Sequence, residues 1–118
     1  MEFLFDNQRP IYLQLLEILR TAIVSGTIAQ GEKLPSVREL ALQAQVNPNT
    51  VQKALAQLES EGLIFTERTN GKFVSADKEA IRAAKEQIAR QKAAAYLEQM
   101  QQLGYTQAEA IEHIKNAK

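Results

Sequence analysis

Cysteine is absent from the 118-residue chain, which removes disulfides, thiolate catalysis and cysteine metal sites together. No apolar run approaches the ~20 residues of a membrane span. No signal-peptide pattern of charged, apolar and small residues opens the sequence. A cytoplasmic protein with no membrane partner is expected. Neither sign of charge predominates, since 14 Lys and Arg meet 14 Asp and Glu. Splitting the chain changes little: residues 1–75 carry 7 basic and 8 acidic side chains, and residues 76–118 carry 7 and 6. Domains that bind nucleic acid are often strongly basic, so a basic patch here must come from where charges sit rather than from their number. Also missing are a nucleophile–base pair, a phosphate loop and metal-ligand spacing, which argues against an enzyme and implies no cofactor. The lone His113 lacks the partners a metal site needs.

What is present is a series of helices, one hairpin and a helical tail. Hydrophobic content of 45% and charged content of 24% are those of a globular protein, and the length admits one small domain with an appendage. After Pro10, which suits a first helical position, Ile11, Leu15, Ile18, Leu19, Ala22 and Ile23 trace a helical face until Gly26. Tyr12 and Leu16 form a second stripe, which points to contact beyond the domain's own core. "SGTIAQGEKLPS" reads as a loop. Ser36 with Glu39 makes a capping box for a short helix whose inner side is Val37, Leu40, Ala41 and Ala44. Asn47 then caps a further helix with Pro48 at its first position and Val51, Ala54, Leu55 and Leu58 on the apolar face; Gly62 stops it. Two extended segments, Leu63 to Arg68 and Lys72 to Ser75, flank Asn70-Gly71, a strong hairpin signal.

From Asp77 to Leu103 the composition shifts to Ala, Gln, Lys and Glu without a breaker. About 26 helical residues would span ~39 Å, longer than so small a core is wide. Thr106 with Glu109 opens a last helix with Ala110, Ile111 and Ile114 on its inner side. The fold class is thus mainly α with a small β-hairpin: a winged helix-turn-helix over residues 1–75 and a C-terminal helical hairpin over residues 76–118.

One segment is polar where a core helix would be apolar. Two capped helices joined by a tight turn match a helix-turn-helix, whose second helix meets base edges with its N-terminal residues. Asn49, Thr50, Gln52 and Lys53 crowd that end, where free N–H groups and the helix dipole favour phosphate oxygens. Asn and Gln suit adenine edges and Arg suits guanine. Arg38 lies just inside the N-terminus of the preceding helix, where its charge opposes the dipole and needs another reason to be there. Arg68, Thr69 and Lys72 flank the hairpin tip, where a wing reaches an adjacent groove.

"PIYLQL" from Pro10, "GEKLPSVRELA" from Gly31, "VNPNTVQKALAQLESEGLI" from Val46 and "TNGKFV" from Thr69 resemble the GntR family of bacterial transcription regulators. The likeness runs over residues 10–75 with the segments in the family's order. It implies operator DNA as partner, dimeric binding, a DNA-facing surface containing Arg38, Asn47, Asn49 and Thr50, and a wing tip formed by Thr69, Asn70, Gly71 and Lys72. Pro48 stands where many members carry arginine, and Thr69 stands where the wing often has its first glycine. The short tail resembles the YtrA-type branch, in which it mediates dimerisation. Ile81, Ala84, Ile88, Ala95 and Tyr96, with Ile111 and Ile114, are then the expected dimerisation residues.

The expected function is a homodimeric DNA-binding regulator, read as a repressor, on an inverted-repeat operator. A small-molecule effector is left open. The competing reading is a winged-helix adaptor that binds protein or RNA, which zero net charge favours. His113 as a solvated residue, Glu59 and Glu61 as a helix's outer face, and Tyr96 and Met100 as packing residues are the plain alternatives to any site there.

Overall fold

The computed structural model describes residues 1–117. Helices α1 (Ile11–Val24), α2 (Val37–Ala44) and α3 (Pro48–Ser60) precede a hairpin of β1 (Ile64–Glu67) and β2 (Gly71–Val74), and helices α4 (Lys78–Gln102) and α5 (Gln107–Asn116) follow. The chain divides into two compact units, Met1–Lys85 and Glu86–Lys118.

In the first unit the apolar stripe of α1 supplies Leu15, Leu19 and Ile23, and that of α3 supplies Val51, Leu55 and Leu58, all fully buried with Leu40, Leu63 and Val74. Each such leucine contributes about 1.5–3 kcal/mol through removal from water. Leu16 also belongs to this core and Tyr12 packs against it. The second stripe of α1 is therefore filled within the unit and is not left for an outside partner. Pro10 stands at the N-cap rather than inside α1. The buried amide of Gln14 fastens the preceding segment, accepting from the Asp6 N–H at 2.9 Å and donating to the carbonyls of Asp6 at 2.9 Å and Arg9 at 2.8 Å.

The caps follow the sequence. Ser36 Oγ accepts from the Glu39 N–H at 3.1 Å while the Glu39 carboxylate accepts from the Ser36 N–H at 2.9 Å, a reciprocal pair worth about 1 kcal/mol. Gln45 ends α2 in the left-handed region, φ 57°, and the chain turns through Val46 into α3. Thr106 and Glu109 repeat the capping box at α5.

Three further details differ from what the sequence suggests. β1 and β2 pair from Ile64↔Val74 to Glu67↔Gly71, so the loop holds Arg68, Thr69 and Asn70 instead of an Asn70-Gly71 turn. Asn70 closes it by donating to the Glu67 carboxylate at 3.0 Å, and Gly71 follows at φ +103°, a left-handed backbone that favours glycine. Second, part of the expected loop between α1 and α2 is strand-like. Lys33 pairs with Phe73 on the free edge of β2, with the Leu34 N–H donating to the Lys72 carbonyl at 2.8 Å and the Val74 N–H to the Glu32 carbonyl at 2.9 Å. Third, the compact unit continues past the expected boundary at residue 75, because Ile81 of α4 is 5% exposed inside the core and Ala84 packs against it.

Candidate nucleic-acid interface

The N-terminal turn of α3 is built around Asn47. Its Oδ1 accepts from the Asn49 N–H at 2.8 Å, and its carbonyl accepts from the Thr50 N–H at 2.9 Å. Asn47 is therefore committed to capping through its oxygen, while its amide NH2 makes no hydrogen bond among the described residues. Because Val51, Ala54, Leu55 and Leu58 are anchored in the core, the helical period turns Asn49 and Gln52 to solvent, and Thr50 is half-buried beside them. The first turns of α1 and α3 hold no acidic residue, whereas those of α2, α4 and α5 contain Glu39, Glu79 and Glu109. The positive end of the α3 dipole is thus uncompensated by its own side chains.

The remaining charges are sorted by place. At the far end of α3, Glu61 takes the Arg20 guanidinium through Nη2 and Nε, the latter at 2.9 Å. Glu59 takes Lys72 Nζ at 3.1 Å and the Thr66 hydroxyl at 3.0 Å. These bonds hold both carboxyls below the usual carboxylate range, the Arg20 hydrogen bond being the main cause for Glu61 and that of Lys72 for Glu59. Arg9 pairs with Glu17 at 2.6 Å. Lys33, Arg38 and Arg68 form no ion pair among the described residues, and Lys53 Nζ lies 4.4 Å from the centroid of the Tyr12 ring. Glu17, Glu59 and Glu61 thus neutralise cations away from the start of α3, and Lys33, Arg38, Lys53 and Arg68, around α2, α3 and the wing, are left without an ion pair among the described residues.

Each sequence-predicted residue can be placed. Arg38 is exposed at the second position of α2, and Arg68, Thr69, Asn70 and Gly71 are exposed in the wing. A cleft of about 470 Å³ separates the start of α2 from the wing; Lys33, Ser36, Glu39, Arg68 and Asn70 are among its walls. Lys53 is partly held over Tyr12. Lys72 departs from the expectation: it is half-buried and bonded to Glu59 and Thr66 at 3.1 and 2.7 Å, so it braces β2 against α3 instead of projecting from the wing tip. Lys33 escaped the sequence reading, since a one-residue bridge leaves no periodic signal.

The expected dimerisation residues divide between the two units. Ile81 and Ala84 are taken up by the first unit's own core, which corrects their assignment, because a stripe on a helix does not say which neighbour fills it. Within the second unit Ile88 and Tyr96 are half-buried and Ala95 is exposed. The Tyr96 hydroxyl donates to the Ala110 carbonyl at 2.6 Å, joining α4 to α5. Ala110 is buried, yet Ile111 and Ile114 remain 42% and 55% exposed. Among the described residues no group of three or more His, Asp or Glu is placed to hold a metal ion. No described helix is long and apolar enough to cross a membrane.

Known proteins match both the sequence and this geometry. The profile of "Bacterial regulatory proteins, gntR family" matches residues 11–74. An uncharacterised HTH-type transcriptional regulator of Bacillus subtilis, YhcF, is 36% identical over 115 residues, 98% of this chain and 95% of its own length. The HTH-type transcriptional repressor YtrA of the same organism is 45% identical over 69 residues, 58% of this chain and 53% of its own. Among solved structures, a GntR family transcriptional regulator from Listeria monocytogenes superposes with a TM-score of 0.90 at 39% identity, covering 97% of this chain and 100% of that one. The DNA-binding domain of AraR in complex with operator ORX1 gives a TM-score of 0.58 at 32% identity, covering 64% of this chain and 96% of that one. With its mainly helical fold, its two-stranded hairpin and its DNA-binding winged helix-turn-helix, the chain belongs to the GntR family of bacterial transcription regulators.

Proposed function

We propose that the protein is a homodimeric repressor that works in the cytoplasm and binds an inverted-repeat operator. Asn49, Thr50 and Gln52 read base edges, while Arg38 and the wing residues Arg68, Thr69 and Asn70 contact base or phosphate. The observation that carries this reading is the acid-free N-terminal turn of α3, exposed and accompanied by the unpaired cations Arg38 and Arg68, while Arg9, Arg20 and Lys72 are each neutralised by a carboxylate. Such an end favours phosphate oxygens, and short amides at the start of a recognition helix suit base edges. The similarity to a domain in complex with operator DNA and to a named repressor supports the same assignment. The dimer rests on the second unit, whose exposed Ile111 and Ile114 lack a partner within it. A two-fold protein dimer matches a palindromic site.

Random-sequence selection with the full chain tests this reading. It should enrich a duplex with two inverted half-sites, protected together in footprints, and log affinity should fall linearly with log salt at about 0.9 per phosphate contact. Zero net charge favours the adaptor alternative, in which the same surface meets protein or RNA. That alternative predicts no enriched duplex.

A further inference from the structure

We infer that Lys33 is a further DNA-contacting cation, a phosphate contact set at the base of the wing by the bare backbone of Gly71; this rests on the DNA-binding reading above. Lys33 sits opposite Phe73 across the free edge of β2. Residues that face each other in an antiparallel pair share a face, and so do residues two apart along one strand, which makes Gly71 the diagonal neighbour of Lys33. A Cβ added at Gly71 would stand 3.2 Å from Lys33 Cε and 3.9 Å from Nζ. The lysine stem therefore lies along the glycine, and its ammonium emerges at the cleft wall that also carries Arg68 and Asn70. Gly71 is constrained twice, by its φ of +103° and by the stem that passes over it.

Backbone hydrogen bonds on both sides of Lys33 fix where the charge is presented. Gly31 donates to the Val74 carbonyl at 3.0 Å and Leu34 to the Lys72 carbonyl at 2.8 Å. Glu39 and Glu67 also line the cleft, but Lys33 has no ion pair or side-chain hydrogen bond among the described residues. A purely packing role needs only the aliphatic stem. The Glu39 carboxyl is held below the usual carboxylate range chiefly by its bonds with Ser36 and to a smaller extent by the Lys33 charge, which remains exposed and free of any ion pair among the described residues. A stem already held against the backbone loses less rotamer freedom when its head group meets a phosphate than a lysine free in solvent does.

The test compares the wild-type chain with Lys33→Met, which keeps a similar stem without the charge, and with Lys33→Arg, which keeps the charge. The probe is the duplex enriched by random-sequence selection, titrated across a salt series. Lys33→Met should unfold at the wild-type temperature, bind several-fold more weakly and show a log–log salt slope reduced by about one, with Lys33→Arg keeping the wild-type slope. Wild-type affinity and slope in Lys33→Met, measured on a duplex that the wild type binds, overturn the inference while leaving the DNA-binding reading intact. Failure of the wild type to bind any duplex overturns both.

Discussion

The two units of this chain dispose of their apolar side chains in opposite ways. In Met1–Lys85 three helices and a hairpin close over a core in which Leu15, Leu19, Leu40 and Leu58 are wholly buried. In Glu86–Lys118 Ala110 is the only buried apolar residue among those described, and Leu103, Ile111 and Ile114 face solvent. The first unit satisfies itself and turns a polar helix end outward, as a reader of another molecule must. The second satisfies its backbone, through the Thr106 capping box and the Tyr96 bond to Ala110, but not its apolar surface. The lesson is that a closed fold and an open apolar surface sit in separate units: the first is complete in itself, and the second is the one that a proposed second copy would cover.

Removing the second unit gives the largest expected effect. A chain ending at Lys85, which keeps Ile81 and Ala84 in the core, should fold, sediment as a monomer and lose most operator affinity. Joining two binding units raises the effective concentration of the second to about millimolar, so a loss on the order of a hundredfold or more is expected. A fused unrelated dimeriser of suitable span should restore part of it. A truncated chain that remains dimeric breaks the comparison.

Matched truncations in the two units sharpen it. Leu55→Ala, in the first unit's core, should lower unfolding free energy by about 2–5 kcal/mol, read by denaturant titration. Ile114→Ala, at a side chain 55% exposed, should leave the melting of Met1–Lys85 untouched and weaken dimerisation, read as a rise in the dissociation constant by ultracentrifugation. If Ile114→Ala changes neither, the exposed stripe has no partner.

Arg38→Ala comes next in size. Its side chain is exposed and unpaired, so stability should not change, while specific binding should weaken by about 1–3 kcal/mol in a gel-shift titration. The smallest effect is local. Gln45 holds φ 57° at the end of α2, a backbone that costs a non-glycine residue about 1–2 kcal/mol. Gln45→Gly should therefore raise stability by about 1 kcal/mol, with dimerisation unchanged.

Much of this was legible in the sequence because it depends on short range. Ser36 with Glu39 and Thr106 with Glu109 announce their capping boxes at a spacing of three, and Asn47-Pro48 announces the start of α3. The stripes of α1 and α3 give most of the core by period alone, although Ile11 at the start of the α1 stripe is 37% exposed and Ile18 stays outside the core. What escaped depends on which distant residues meet. Lys33 joins the sheet through a single bridge to Phe73, too short for any pattern. Lys72 reads as a wing cation until Glu59 and Thr66 are seen beside it. Ile81 continues the α4 stripe in sequence but is buried in the core of its own unit, Met1–Lys85. Tyr12 and Leu16 show the same limit: an apolar face predicts burial, not the identity of the neighbour that provides it.

The polar N-terminal end of α3 is proposed to read bases. The most direct measurement repeats the random-sequence selection with Asn49→Ala and with Gln52→Ala, both exposed positions outside the core. At least one variant should fold as the wild type does and lose preference at a single symmetric pair of operator positions, with the rest of the site unchanged. Recovery of the wild-type site at full strength by both variants would contradict it.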